Sequence, residues 1–495
     1  MSKRFFVAAV LLLLCVSFAI ADFRPPRAKP QRRKGGEAFP PLPLPVTPVR
    51  RTEKKREPSP PTLICRVMHG KEPRRVKYEG ETYTFWDWNT NPGAERNLLK
   101  RMASQLGQPY RKITSPLSKL SGDPAEVPIL FISGHENIEF SAKELAFLKK
   151  YVESGGYLWL EACCGSEKAY KEHRANMQAM WPDREIYALP EDHPLYHSYY
   201  NIDTVKYTKE VTDQKEGKPY IEGLDIGCRT AVLLFKYGIG NGWDSYHDPG
   251  AKDFEISDSF KLGMNMIAYS LAYHNLGKYL SRAKTYHEQE KEDRGDFVFG
   301  QVLYAGNWDP NPSAAINLLS VVDAKSSVRV KFKRKAIDLD KTELFEYPFL
   351  YVTGHNDFKL SDSQAAKIRN YLSGGGFLLA DSCCGRSSFT AAFVREIKKV
   401  FPAGELKLLP KEHAVYSSLH KITSVEYTEF TKKAVKKLPP LPLYGMEVAG
   451  STRVIFCPYA LGNGWEKEEH PFTKGIEPED AMKLGVNIVV YSQTH

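Results

Sequence analysis

The sequence predicts two homologous three-layer α/β/α domains in tandem, each on a mainly parallel sheet with an antiparallel addition near its C-terminus. Three observations carry this. One set of motifs occurs twice at a nearly constant spacing. Within each copy, short apolar runs alternate with segments of helical period. The 495 residues are 42% hydrophobic and 26% charged, which suits two or three cores and excludes a collagen, a rod or a mostly disordered chain.

The repeat is read by direct comparison. Ser133-Gly134-His135 matches Thr353-Gly354-His355, Gly155-Gly156-Tyr157 matches Gly375-Gly376-Phe377, and Cys163-Cys164-Gly165 matches Cys383-Cys384-Gly385, each 220 positions apart. His193 pairs with His413 at the same spacing. Towards the ends the spacing becomes 222, as in Trp86-Asp87 with Trp308-Asp309 and Gly240-Asn241-Gly242-Trp243 with Gly462-Asn463-Gly464-Trp465. The copies span residues 62–276 and 296–495, with 277–295 as a charged linker helix. Each is long enough to be expected to fold alone.

Within a copy the elements follow in order. Val127 to Ser133 and Pro348 to Thr353 are apolar runs that read as buried strands. Ser141 and Ser361 read as helix N-caps, and Ser141 with Glu144 forms a capping box. Glycines 155–156 and 374–376 end those helices. Strands Tyr157 to Ala162 and Phe377 to Ser382 follow, then helices stopped by Pro182 and Pro402. Strand and helix alternating at this spacing imply a parallel sheet covered on both faces. Leu441 to Trp465 reads instead as two antiparallel strands, and Ala481 to Ser492 as a closing helix.

The N-terminus reads as an export signal, residues 1–21. Lys3-Arg4 precedes the apolar run Phe5 to Ala19, and Ala19-Ile20-Ala21 supplies a small-x-small cleavage site. The run is shorter than the ~20 apolar residues of a spanning helix. Residues 22–61 hold 11 Pro and a net charge of +7, a disordered Pro/Arg/Lys-rich linker suited to contact with an anionic surface. Of the total +10, only +1 remains for residues 62–495, so the folded part makes no case for nucleic acid. The expected protein is secreted or periplasmic and not integral to a membrane.

Candidate site residues cluster where ligands gather in open parallel sheets, at the carboxyl ends of the strands. His135 and His355 directly follow one strand, and the two Cys-Cys-Gly turns end the next. Catalytic candidates are Cys163, Cys383, His135 and His355. Binding candidates are Trp86, Asp87, Glu161, Trp308, Asp309 and Asp381. Glu161 and Asp381 are acids inside apolar strands, so each needs a partner. The simplest is the histidine of its own copy; the competing reading is that they bond loop backbone. Adjacent cysteines on a strand point to opposite faces and make poor joint metal ligands. His193 and His413 read as turn-capping histidines, and Gly-Asn-Gly-Trp as a tight turn or, second, a stacking surface. No Walker loop, no G-x-G-x-x-G after a first strand and no H-E-x-x-H occurs, so no cofactor or metal is called for. A weaker option joins His135 or His355 to a carboxylate around a metal.

The second copy carries a family resemblance. Trp308-Asp309, Tyr347-Pro348-Phe349-Leu350-Tyr351-Val352-Thr353-Gly354-His355, Leu360-Ser361-Asp362, Tyr371-Leu372-x-Gly374-Gly375-Gly376-Phe377-Leu378 and Phe401-Pro402 resemble the bacterial domain of unknown function 4159. In the first copy the pattern is similar but drifts: Asn91-Pro92 is displaced by two residues. The resemblance implies a flavodoxin-like fold similar to the class I glutamine-amidotransferase superfamily, in exported or membrane-associated proteins. The amidotransferase elbow Gly-x-Cys-x-Gly is matched only as Cys163-x-Gly165 and Cys383-x-Gly385, and its His-x-Glu partner motif is absent. The expectation is therefore a non-enzymatic binding or scaffold protein of the cell envelope. The alternative is a hydrolase or transferase with Cys163 or Cys383 as nucleophile.

Overall fold

Strands buried on both faces must be largely apolar, and the runs singled out above are, apart from polar residues near their carboxyl ends such as Glu161 and Asp381. In the computed structural model, which describes residues 59–78, 80–136, 138–214, 217–288 and 297–495, they form two seven-stranded sheets. The export signal and nearly all of the basic linker lie outside the described residues.

The first sheet contains β1 (Thr62–Met68), β4 (Arg111–Pro116), β5 (Ile129–Gly134), β6 (Tyr157–Ala162), β7 (Tyr187–Ala188), β8 (Glu222–Ile226) and β9 (Arg229–Phe235), in the order β4-β1-β5-β6-β9-β8-β7. β2 (Arg74–Tyr78) and β3 (Glu81–Phe85) form a separate antiparallel ribbon that the sequence reading did not anticipate. The second sheet contains β10 (Phe299–Leu303), β11 (Lys335–Asp338), β12 (Phe349–Gly354), β13 (Phe377–Ser382), β14 (Lys407–Leu408), β15 (Tyr444–Val448) and β16 (Ser451–Cys457), in the order β11-β10-β12-β13-β16-β15-β14. Counted along the chain, the five parallel strands of each sheet run 2-1-3-4-5, a common doubly wound order.

Two antiparallel strands close each sheet. The segment expected as a purely antiparallel addition therefore divides its role. β16 pairs parallel with β13; β15 runs against β16, and β14 runs against β15. The tight hairpin between β15 and β16 gave the antiparallel signal, while the long-range parallel partner left no local trace.

Helices cover both faces. In the first repeat, Ala94–Leu106 and Ile256–Ala272 pack on one side through Leu98, Met102, Leu262 and Met266. Ala142–Glu153 and Glu167–Met180 pack on the other through Leu148, Val152, Ala169 and Met177. The second repeat has the same layers. The expected capping box of Ser141 with Glu144 forms, and the expected N-cap Ser361 makes a second box with Gln364. Among the described residues, no helix is long and apolar enough to cross a membrane.

The repeats belong to one compact unit, Pro60–His495. The charged linker starts as the helix His274–Glu288, whose Leu276 and Leu280 are buried. Its Tyr279 hydroxyl donates to the Glu466 carbonyl at 2.9 Å, so it docks on the second repeat instead of standing in solvent. Cys383 and Cys384 lie in the apolar cluster built mainly by the first repeat.

Arg229, at the start of β9, is buried and donates to the carbonyls of Gly156 at 2.8 Å and Val152 at 2.5 Å, where a helix ends and β6 begins. Arg229→Ala leaves those buried carbonyls without their charged donor. Chemical denaturation is expected to show a loss of about 3 kcal/mol. By contrast, Arg453→Ala in the second repeat, which removes one exposed bond to the Gly375 carbonyl at 3.2 Å, is expected to cost about 1 kcal/mol or less.

Candidate functional site

β5 and β6 are in parallel register, with Ser133 opposite Glu161 and Gly134 opposite Ala162. The next residues on each strand, His135 and Cys163-Cys164, therefore emerge side by side at the carboxyl edge. The chain must then turn sharply into the helix Glu167–Met180. It does so by placing Cys164 at φ 54° and ψ 18°, a left-handed conformation that is strained for a residue with a Cβ. Cys384 repeats it at φ 54° and ψ 13°. Ser166 then caps the helix and also donates to the His135 carbonyl at 2.5 Å.

This turn separates the two sulfurs in role. Cys163 stays under the sheet edge, 1% exposed, facing Thr90 Oγ1 at 3.4 Å and Asn91 Nδ2 at 3.6 Å. Its bond to Cys164, together with burial, pushes its thiol up. Cys164 projects over the edge, partly exposed, with His135 Nε2 at 3.3 Å and Asn241 Nδ2 at 3.3 Å. Of the two, the candidate Cys163 stays buried, and Cys164, the left-handed residue, is the one lifted off the strand. The bond from Cys163, then those from His135 and Asn241, draw the Cys164 thiol down to about 7 against the effect of burial.

His135 completes a line. Its Nδ1 is 3.0 Å from Asp87 Oδ1. The Asp87 carboxylate also accepts from Arg74 at 2.9 Å and from the backbone amides of His135 and Glu136 at 2.7 and 3.1 Å. Burial alone would raise the Asp87 carboxyl, but these donors, His135 first, hold it well below the usual range. Burial likewise works to lower His135; Asp87 and then Cys164 outweigh it and raise the imidazole to about 10.

The expected pairing of His135 with Glu161 and of His355 with Asp381 does not form. Glu161 accepts from Ser133 Oγ at 2.6 Å and from the amides of Ile239 and Gly240 at 2.6 and 2.5 Å. Asp381 accepts from the Tyr351 hydroxyl at 2.9 Å and from Leu461 and Gly462, both at 2.8 Å. The competing reading, bonds to loop backbone, describes both acids. Each carboxylate points back along the sheet to the short helix made by Gly-Asn-Gly-Trp, away from the histidine.

The second repeat assembles the same parts differently. Asp309 is held by Arg334 at 2.6 and 2.5 Å, with the guanidinium over Trp308, and does not reach the histidine. His355 instead takes Asp225 of the first repeat, at 3.1 Å, and its Nε2 lies 3.1 Å from Cys383. Cys383 and Cys384 are both buried. In the first repeat Trp86 is exposed at the site's margin.

Trp243 and Trp465 are fully buried, each donating from Nε1 to a helix carbonyl, so they offer no stacking surface. What that motif supplies is Asn241 and Asn463, whose amides reach Cys164 and Cys384 at 3.3 and 3.2 Å. His193 and His413 are turn caps as expected, accepting from Leu195 and Val415 amides.

Residues missed by sequence reasoning include Asn91, Asn241, Asp225 and Cys228. For Asn91 the signal was present: Asn91-Pro92 matches Asn311-Pro312 at the 220 spacing. The imidazole of His135 and the sulfurs of Cys163 and Cys164 lie within 4.8 Å of one another, as do His355, Cys383, Cys384 and Cys228. Adjacent cysteines can therefore share a ligand after all, because the left-handed turn brings their sulfurs to 3.8 and 3.9 Å.

Residues 74–271 and 298–492 each match the family described as Domain of unknown function (DUF4159). The chain belongs to DUF4159. The second DUF4159 segment contains all of its sheet, the first all of its sheet except β1, and both include the Cys-Cys-Gly turn. No curated protein matches the chain at a significant level.

Glu161→Gln puts an amide donor against the Ile239 and Gly240 amides. It is expected to cost about 2 kcal/mol in denaturation and to slow thiol reactivity at Cys164 by loosening Asn241.

Proposed function

We propose that the first DUF4159 repeat is a cysteine-dependent hydrolase or acyltransferase, with Cys164 as nucleophile, His135 as acid–base and Asp87 as its orienting carboxylate. The observation that carries the reading is the line from Asp87 Oδ1 to His135 Nδ1, 3.0 Å, and from His135 Nε2 to Cys164 Sγ, 3.3 Å, with the sulfur on a left-handed strand-to-helix turn.

The chemistry follows from the charges. With Cys164 near 7 and His135 near 10, the pair rests as thiolate and imidazolium between those values. The thiolate adds to a carbonyl carbon. This reading assigns the developing oxyanion to the Gly165 amide, next in the chain after the nucleophile. The carbon–leaving-group bond breaks as His135 Nε2 gives its proton to the departing nitrogen or oxygen. Water, or another acyl acceptor, loses a proton to the now neutral His135 and cleaves the thioester, returning the thiolate and imidazolium.

The 2-1-3-4-5 strand order and the elbow cysteine support affiliation with the glutamine-amidotransferase-like, flavodoxin-like superfamily. Here the histidine comes from the strand before the nucleophile, so the absence of His-x-Glu does not leave the cysteine without a base. The leader at residues 1–21 supports export, which would put the reaction in the periplasm or outside the cell. A binding or scaffold role suits the second repeat, whose corresponding residues are buried.

Iodoacetamide alkylation followed by peptide mapping tests this reading. Cys164 is expected to react fastest of the seven cysteines beyond the leader, with its rate falling as pH drops through about 7 instead of about 9. His135→Ala is expected to slow it at least ~10-fold at pH 7, the effect of losing more than one pKa unit. Cys163→Ser should leave Cys164 the fastest-reacting thiol. Alkylation of Cys164 no faster than a free thiol refutes the reading. With an activated ester as substrate, turnover is expected to vanish in Cys164→Ser and to fall again above about pH 10, where His135 loses its proton.

A further inference from the structure

The buried cluster of the second repeat takes no part in that chemistry, yet it gathers four soft ligands. Cys228 sits on the turn between β8 and β9 of the first repeat, right after Gly227 at φ 64°. This turn pushes Cys228 and Asp225 onto the second repeat's carboxyl edge, where His355, Cys383 and Cys384 emerge. An imidazole nitrogen and three sulfurs lie within 4.8 Å of one another, every one of the four residues buried.

We propose that Cys228, His355, Cys383 and Cys384 bind one tetrahedral divalent ion of the zinc class, which staples the two repeats together.

Three cysteines and a histidine, with no position open to solvent, make a closed structural ligand set. Zinc–sulfur bonds of about 2.3 Å and zinc–nitrogen bonds of about 2.0–2.1 Å put tetrahedral ligand atoms roughly 3.5–3.8 Å apart. The separations here bracket that range: 3.2 Å from Cys228 to Cys383, 3.9 Å from Cys383 to Cys384, and 3.1 Å from His355 Nε2 to Cys383. Small outward shifts of Cys228 and His355 make room for the ion.

The surroundings are those of a ligand set. Asp225 holds His355 Nδ1 at 3.1 Å, which leaves Nε2 for the metal in the carboxylate–histidine arrangement typical of zinc ligands. Asn311 Nδ2 reaches Cys228 Sγ at 3.1 Å and Asn463 Nδ2 reaches Cys384 Sγ at 3.2 Å, donors that favour thiolate at those two sulfurs, while their Oδ1 atoms accept from the Cys383 thiol at 3.1 and 3.2 Å, a proton that metal binding releases. Arg386 is buried within electrostatic reach of Cys384 and offsets part of the negative charge that three thiolates and Asp225 leave around a dication. The first repeat lacks a counterpart of Cys228 in its own cluster, and its His135 and Cys164 are partly exposed. One duplicated turn thus serves an open reactive site in one copy and a closed metal staple in the other.

The proposal stands apart from the first-repeat chemistry. Full-length protein, purified under reducing conditions without chelator, is expected to carry about one zinc per chain by elemental analysis. Cys164→Ser should keep the ion while losing its alkylation. Cys228→Ser and His355→Ala should lose it. If those variants fail to fold, exchange of cobalt(II) into the wild-type protein decides, through the d–d and sulfur-to-metal bands of a tetrahedral thiolate site. A zinc-selective chelator is expected to lower the wild-type Tm by about 5 °C or more, as removal of a bound ligand worth a few kcal/mol requires. Absence of zinc both as purified and after incubation with zinc, with no cobalt spectrum, overturns the proposal. So does a Cys228–Cys383 disulfide found by mapping the unreduced protein.

Discussion

The arrangement of each site depends on one buried carboxylate at the end of the fourth parallel strand. Glu161 and Asp381 are fully buried in apolar strands, a position tolerable only if every lone pair is met. Two consecutive backbone amides from the loop after the fifth strand meet them, with a hydroxyl from the third strand. That bond set fixes the Gly-Asn-Gly-Trp turn over the sheet edge. The turn then holds Asn241 and Asn463 against the sulfurs, and Asn241 also bonds Asp253 at 2.7 Å. The acid is the bracket that positions these side chains.

The left-handed cysteine is the second constraint. A strand must become a helix within a few residues, and a residue at φ 54° reverses the chain quickly enough. Its carbonyl is anchored by the Lys252 amide at 3.1 Å, and that of Cys384 by Lys474 at 3.2 Å. The surrounding packing over-determines the strained conformation, as strain at functional turns requires. The same twist brings the neighbouring sulfurs together in both repeats and leaves Cys164 partly exposed in the first and Cys384 buried in the second.

Duplication produced two copies of this framework, and the interface between them made them unequal. The β8–β9 turn of the first repeat reaches into the second repeat's site, while the corresponding turn of the second repeat carries Ala449 and Gly450. Asp225 thereby replaces Asp309 as the partner of His355, and Asp309 is left to Arg334. Position 248 beside Cys164 is Asp, 3.4 Å from the sulfur; position 470, its counterpart, is a buried His beside Glu466 and Cys384.

Much of this was legible in the residues. The 220-residue repeat, the alternation of strand and helix, the capping boxes and the location of the histidines and cysteines at strand ends are local patterns, and local periodicity writes itself into sequence. The capping roles of His193 and His413 were legible for the same reason. Which cysteine is lifted off the strand, which acid meets which histidine, and which repeat is sealed were not. Cys163 and Cys164 differ only through a backbone dihedral, and Asp87 and Glu161 are equally plausible partners until the register of β5 against β6 and the path of the loops are known. Asp225 lies 130 residues from His355 and in the other repeat. The sequence by itself determined the layers and the edge on which side chains could meet; only the tertiary structure decided the partners, because they are set by long-range strand pairing and by contact between the two copies.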